Sequence, residues 1–388
     1  MPATLFLQSE IQDPYKLYET MLCENPVYWD DTNQLWAIYS YKSCKEILNN
    51  DSAYIPAINP NNNDGLNEYA LLIAGQFVRL SNDVRHEIAR EVAMLLFEKM
   101  KTVAINDLAG KLLQNEKDKN EIDWVNSICK KLPVVAVLKS FDFNDEDCDF
   151  ISGKIEQLVK IMLPTKTQEQ VTVINEFSKE LYVITEKHLL NTGIYKPIIK
   201  TRSEKYKIDT GKIISLCVSN LIGLFIQSYD AGRGILSNSL LQALSNKNLL
   251  NNNLTDKEYL KKLVIETLRF DPPVHNTGRI AVDDIVLKNA VIKKGEAIFV
   301  VLASANRDPK QFANPTIFDI NRANNSEHLT FGIGPHECLA KYFSVSLATE
   351  TLSYFLERYK KIRLLEKNIV YEPMINARLP KNIWISLS

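Results

Sequence analysis

From about residue 79 to residue 250, apolar residues recur at three- and four-residue spacings, the pattern of successive helices that each bury one face. So long a helical stretch leaves room for only a small sheet. The strand-like patterning lies outside it, in two separate places. The first 55 or so residues carry the pair "PVYWD" and "LWAIYSY" around the turn "DTNQ". Residues 278–303 switch to β-type patterning, "RIAVDDIVLKNAVIKKGEAIFVVL", with turn signals at Lys288–Asn289 and Lys294–Gly295. Between them, "LTDKEYLKKLVIETLRF" predicts a helix opened by a capping box of Thr255 and Glu258 and stopped by "DPP" after Phe270. The helical pattern returns at 339–360, and short strands close the chain. No repeat or low-complexity linker divides it. The expectation is a mainly α protein with a minor β-sheet, one domain over 1–388, with its β-rich part at about 1–55 and 278–303.

Composition narrows the class. A formal net charge of -1 gives no electrostatic case for a nucleic-acid surface. The N-terminal "MPATLFLQSEIQDPY" lacks the basic start and apolar core of a signal peptide. The most apolar stretch, "IISLCVSNLIGLFIQ", is interrupted by Ser215, Ser219 and Asn220 and falls short of the roughly 20 residues a spanning helix needs. Six cysteines without a CxxC pair fit a reduced, cytoplasmic chain. The Asn- and Pro-rich "YIPAINPNNNDGLNE" predicts a surface loop.

Cys338 stands apart, inside "HLTFGIGPHECLA" at 328–340. His336 and Cys338 are two ligands where a closed zinc site needs four. Gly332 and Gly334 lack the third glycine and the surrounding strand-turn-helix of a dinucleotide loop. For a nucleophilic cysteine, no base and orienting partner are evident; a lone thiol is most often packing. Against that, a thiol just before a helix meets backbone N–H groups and the positive dipole end, which favours thiolate. The two glycines allow close approach of something flat, and a thiolate so held suits an axial haem ligand.

The stretch "FGIGPHECLA" resembles the haem-binding signature of the cytochrome P450 monooxygenases, with Phe331, Gly332, Gly334, His336, Cys338 and Ala340 at its positions. Other segments resemble the family in the right order. "ETLR" matches its Glu-x-x-Arg with Glu266 and Arg269, a turn apart on one helix face, and implies a buried structural pair. Residues 305–322 resemble its segment between that helix and the cysteine. "HEIAR" places His86 and Arg90 as in its haem-flanking helix. The resemblance implies haem b between a long distal helix and the proximal helix after the axial ligand Cys338. It implies that His86, Arg90, Arg279, His328 and His336 bind the two propionates, buried anions that need partners.

The distal helix departs from the family. In "FIQSYDAGRGILSN", Asp230 matches the acid, but Ala231 stands where the family has Thr, and Gln227 and Ser228 replace small residues. Gly232 and Gly234 cost a helix about 1 kcal/mol each and would permit a local widening. Peroxide-using fatty-acid members carry Arg with Pro three residues on; here Arg233 is followed by Leu236. Asp230, Ser228 and Gln227 are the candidates for proton delivery. Leu224, Gln227, Ala231, Val274, His275 and Met374, with the loop 56–78, are the candidates for the substrate pocket, and His188 reads as surface.

As the resemblance implies it, the chain is a monomeric, cytoplasmic enzyme, with no nucleic-acid or membrane partner, that oxidises a small organic substrate of secondary metabolism with O2. It carries no flavin, nicotinamide or iron–sulfur motif, so a ferredoxin and its reductase would supply electrons, docking near Lys341. Three alternatives stand beside this: oxidative coupling or desaturation without oxygen insertion, peroxide-driven oxidation, and a non-catalytic haem sensor.

Overall fold

The computed structural model describes residues 4–56, 65–114, 116, 120–163, 166–193, 196–246, 256–288 and 290–388. The chain opens with α1 (Pro14–Glu24), β1 (Val27–Asp30), β2 (Leu35–Ile38), α2 (Tyr41–Leu48) and β3 (Ala53–Tyr54). Helices α3 (Glu68–Gly75), α4 (Asp83–Phe97) and α5 (Ile105–Gln114) lead to β4 (Glu121–Asp123) and a π-helical turn at Val125–Cys129. Then come α6 (Leu132–Ser140), α7 (Asp145–Val159), α8 (Gln168–Asn191), α9 (Lys196–Tyr206), α10 (Thr210–Ser245) and α11 (Lys257–Phe270). Strands β5 (Thr277–Ala281), β6 (Ile285–Leu287), β7 (Ala290–Ile292) and β8 (Ala297–Val300) precede α12 (Leu302–Ala305), α13 (Lys341–Arg358), β9 (Ile362–Leu364) and β10 (Trp384–Leu387). The described residues are thus mainly helical with a minor sheet content.

They form two compact units: 1–54 with 105–130 and 231–388, and 55–104 with 131–230. In the first unit, a five-stranded sheet of order β1-β2-β8-β5-β3 joins the two β-patterned stretches. Its β2–β8 pair is parallel and the other pairs are antiparallel. One face covers a core of Ile38, Ile47, Ile298, Val300 and Leu329, and Tyr18, Met21, Leu35 and Val301 form a second cluster. Strands β4, β10 and β9 make a smaller sheet, and β6–β7 a hairpin.

The second unit is helical. Helix α8 opens with a capping box of Thr167 and Gln170, and α3 is capped by Asn67, whose side chain accepts from the Ala70 N–H at 2.9 Å. Part of the stretch expected as a loop is therefore helix, because Asn67 satisfies an early N–H and Ala70, Ile73 and Ala74 are buried; residues 57–64 lie outside the described residues. The start of α11 also differs from expectation. Thr255 lies outside the described residues, and the cap is Asp256, which accepts from the N–H groups of Glu258 and Tyr259.

Helix α10 runs 36 residues, longer than its apolar stretch implied, and by length and composition alone could cross a membrane. More than half of its most apolar window is buried inside the protein, as in a core helix. It is α-helical throughout, without the local widening its glycines would permit. Gly234 has another reason: a Cβ there would lie 2.3 Å from Pro273 Cβ and 2.6 Å from a Leu379 methyl. The glycine lets the helix press against both turns.

Candidate functional site

The cysteine loop is built by backbone geometry. Gly332 and Gly334 have φ of +66° and +72°, which L side chains rarely adopt. A Cβ on Gly334 would also meet Asn49 Oδ1 at 2.7 Å. Between these turns the Cys338 N–H donates to Phe331 O at 2.8 Å, and the Gly332 N–H to Leu329 O at 2.8 Å. The loop closes on itself, with the Cys338 side chain exposed three residues before the start of α13. An exposed thiol held ahead of an 18-residue helix sits where the dipole favours thiolate. The other described cysteines except Cys23 are buried, and burial raises the thiol pKa of Cys44, Cys129, Cys148 and Cys217.

Behind the loop lies a buried polar network. Glu266 and Arg269 are both 0 % exposed and share two hydrogen bonds, Nε to Oε2 at 2.9 Å and Nη2 to Oε1 at 2.7 Å. Arg269 also donates to the carbonyls of Asn306, Pro315 and Ile317. Glu266 accepts from the Asp319 N–H at 2.9 Å, with Arg322 Nε at 3.6 Å. Asn306, wholly buried, carries this network to the cysteine loop. Its carbonyl takes Arg269, its Oδ1 accepts from the Leu329 N–H at 2.7 Å, and its amide donates to Thr330 Oγ1 at 2.9 Å. Asn306 was not singled out from sequence; the only available signal was its place in the resembling segment 305–322.

The basic residues fall in both units. In the first, Arg279 on β5 is buried, and its Nη1 donates to Thr277 Oγ1 and to Gly278 O. His328 is buried, and its Nδ1 accepts from the Thr330 N–H at 3.3 Å, so its proton sits on Nε2. Desolvation first, then the charges of Arg269 and Lys341, pull its pKa down to about 3. His336 ends a 3₁₀ turn, Gly334–His336, and is half-buried. The ring of Phe331 lies 5.5 Å from that of His328. Lys341 pairs with Glu337 at 2.6 Å.

In the second unit, His86 is buried on α4 with Nδ1 3.0 Å from Val78 O. A carbonyl only accepts, so Nδ1 carries the proton, and Nε2 donates to an anion only in the imidazolium form. Asn220 holds this turn from α10, accepting from the Val78 N–H at 2.9 Å. Arg90, one turn on, is half-buried.

On α10, the Gln227 side-chain amide donates to Gly223 O at 3.0 Å and the Ser228 hydroxyl to Phe225 O at 2.9 Å. Both proton candidates thus turn a donor onto their own helix. Leu224 and Asp230 are half-buried and Ala231 is exposed. Val274 bridges to Ala377, and the Met374 carbonyl accepts from the Gln8 N–H. His275 differs from its expected place at a substrate pocket. It is wholly buried between the hydroxyls of Tyr18, 3.0 Å from Nδ1, and Tyr15, 3.4 Å from Nε2. Burial foremost, with Arg378 and Arg307 nearby, holds its pKa well below the usual value. His188 is not simply surface: its Nε2 donates to Phe141 O at 2.7 Å and its ring stacks on Phe143.

Three comparisons bear on this arrangement. A family profile described as Cytochrome P450 matches residues 239–377. The biotin biosynthesis cytochrome P450 of Bacillus subtilis (strain 168) is 24% identical over 381 residues, 95% of this chain and 94% of that protein. Among solved structures, CalO2 superposes with a TM-score of 0.86 at 18% identity over 100% of this chain and 99% of its own. P450BioI, in complex with an acyl carrier protein ligated to hexadec-9Z-enoic acid, superposes with a TM-score of 0.79 at 21% identity over 97% and 99%.

Proposed function

We propose that the chain is a cytochrome P450, like the proteins it resembles, and that it hydroxylates or otherwise oxidises a small organic molecule, a secondary metabolite or its biosynthetic intermediate. In this reading it is a haem-thiolate monooxygenase, and the Cys338 thiolate would hold haem b. One observation carries the assignment of the ligand: Cys338 is exposed on a loop closed by two left-handed glycines, immediately ahead of α13. The donor set fits the group, since Arg279, His328 and His336 lie in the same unit as Cys338 and Arg and His are the side chains that pair with carboxylates. When bound, haem with a thiolate ligand activates O2 by accepting electrons and favouring O–O cleavage.

The remaining work belongs to the chain's own side chains. The Cys338 N–H, donating to Phe331 O, holds the backbone that carries the sulfur. Asp230 supplies a titratable group one residue before Ala231, which can neither donate nor relay a proton. One Gln227 amide N–H and the Ser228 O–H are committed to backbone carbonyls, and each side chain still offers an oxygen that can accept from a water. Asp230 with such a water, or a substrate hydroxyl, then replaces the missing threonine. In the first unit, Ala231, Val274 and Met374 are the proposed substrate contacts. Electrons come from a separate ferredoxin and reductase, docking around Lys341 and the exposed Tyr342, and the protein works as a cytoplasmic monomer.

The alanine at 231 also favours a second reading, in which peroxide replaces O2 and electrons or the substrate is coupled or desaturated without oxygen insertion. The first test is spectroscopic. The ferrous carbon monoxide complex should show the long-wavelength band of thiolate ligation, and Cys338→Ala should abolish it; a surviving band refutes the ligand. A screen for Soret shifts, beginning with hexadec-9Z-enoic acid free and carrier-bound, then identifies the substrate. Product mass separates the reactions: a gain of one oxygen against a loss of two hydrogens.

A further inference from the structure

Arg233 lies in the middle of α10 and is 3 % exposed. Its Nη2 is 3.2 Å from Glu372 Oε1, with the Glu372 side chain 24 % exposed. A guanidinium so enclosed requires a counter-charge, whereas the half-open carboxylate can also be met by water. At the next residue, Gly234, the helix backbone presses against Pro273 and Leu379. Leu379 lies opposite Glu372 in the hairpin 371–380: Tyr371 bridges Pro380, and the Glu372 N–H donates to Leu379 O at 2.8 Å. The hairpin in turn is laced to the turn after α11. The His275 N–H donates to Asn376 O at 2.9 Å, the Arg378 N–H to Pro273 O at 2.9 Å, and the Asn276 amide to Ile375 O at 2.9 Å. Val274 and Met374 sit on these two laced turns.

We propose that the Arg233–Glu372 ion pair is a positioning device: it anchors the hairpin 371–380 to α10 and so sets where Val274 and Met374 stand, which fixes substrate selectivity. The inference deepens the haem-thiolate reading and rests on it for the claim that these two side chains face substrate. Its physical core does not need that reading. The ion pair is a charged contact between α10 and a segment joined to its other neighbours by backbone and amide hydrogen bonds and by the Arg378 guanidinium, which donates to the carbonyls of Gln8, Ile11 and Gln12, and Gly234 removes the side chain that would hold them apart. Losing the pair frees the hairpin base without touching the cysteine loop.

The test uses Arg233→Met, which leaves a hydratable Glu372, and Glu372→Gln, which leaves a buried cation; the former carries the test if the latter does not fold. Amide exchange in peptides spanning 371–380 and 273–277 should quicken about tenfold, with α2 and the β6–β7 hairpin unchanged. In the haem-loaded protein, 4-phenylimidazole, which needs room beside the iron, should bind about tenfold more weakly, while cyanide, which needs little, should bind as to the parent. Arg233→Lys, retaining the charge, should restore most of both. Unchanged exchange with unchanged azole affinity overturns the proposal, as does an equal loss for azole and cyanide. A parent protein without the thiolate band would instead defeat the haem reading, and the exchange measurement would still stand.

Discussion

Removing Glu266 tests the network that holds the cysteine loop. In Glu266→Ala the Arg269 guanidinium, 0 % exposed, keeps three carbonyl acceptors but loses its carboxylate, and the Asp319 N–H loses its acceptor. Breaking a buried pair from one side costs about 3–5 kcal/mol, a large share of a net stability of about 5–15 kcal/mol. Lys257–Glu350 is the matched control at 2.7 Å, with side chains 54% and 30% exposed. An exposed pair contributes about 0.2–1 kcal/mol, so Glu350→Ala should scarcely register. Urea unfolding followed by far-ultraviolet circular dichroism should separate the two variants by several kcal/mol. The double variant Glu266→Leu/Arg269→Met sharpens the argument. Apolar replacement of a buried pair is often neutral, but here it strips the donor from the carbonyls of Asn306 and Pro315, each costing about 1–3 kcal/mol if left unmet, while Ile317 O keeps Arg322. The double variant should therefore stay destabilised. A Glu266→Ala shift as small as that of Glu350→Ala, or a double variant as stable as the parent, would refute the reasoning.

Other expectations follow from the same contacts. Arg279→Ala should speed haem transfer to apomyoglobin relative to Lys294→Ala, whose parent side chain is exposed and pairs with Asp283; equal rates remove Arg279 from the propionate set. Asp230→Asn should slow O2-driven turnover with little effect on substrate-induced Soret shifts, and hydrogen peroxide should bypass much of the loss; parent-like turnover with a reductase excludes Asp230 from proton delivery. His275 stays neutral when folded, its pKa depressed by burial, Arg378 and Arg307. Below its unfolded value of about 6.5 the unfolded chain binds a proton the folded chain does not, so its stability contribution is full above that pH and falls as pH drops, by about 1.4 kcal/mol per unit. Between pH 6.5 and 5.5, urea unfolding should show the parent losing about 1 kcal/mol more than His275→Gln; equal losses place His275 outside the acid response.

The sequence was most legible where one residue type alone satisfies a local geometry. Gly332 and Gly334 mark left-handed turns, "DPP" ends α11 because proline cannot continue a helix, and alternating apolar residues delimit the strands on either side of the helical stretch. What stayed hidden depends on partners distant in the chain. His275 follows "DPP" and reads as a loop residue, yet Tyr15 and Tyr18, some 260 residues earlier, enclose it. Gly234 reads as a weak point in a helix until Pro273 and Leu379 are seen against it. Gln227 and Ser228 look available for proton transfer because sequence does not disclose that their donors turn back onto Gly223 and Phe225. That last point shifts the chemical burden to Asp230. With Ala231 unable to hold a water by a hydroxyl, the groups left to orient one in the proposed reading are the acceptor oxygens of Gln227 and Ser228 and the second amide N–H of Gln227, and a water or a substrate hydroxyl can link the oxygens to the carboxylate. A substrate with a hydroxyl near the oxidised carbon should therefore depend less on Asp230 than one without it, and a substrate pair differing in that single group would show whether the link comes from solvent or substrate.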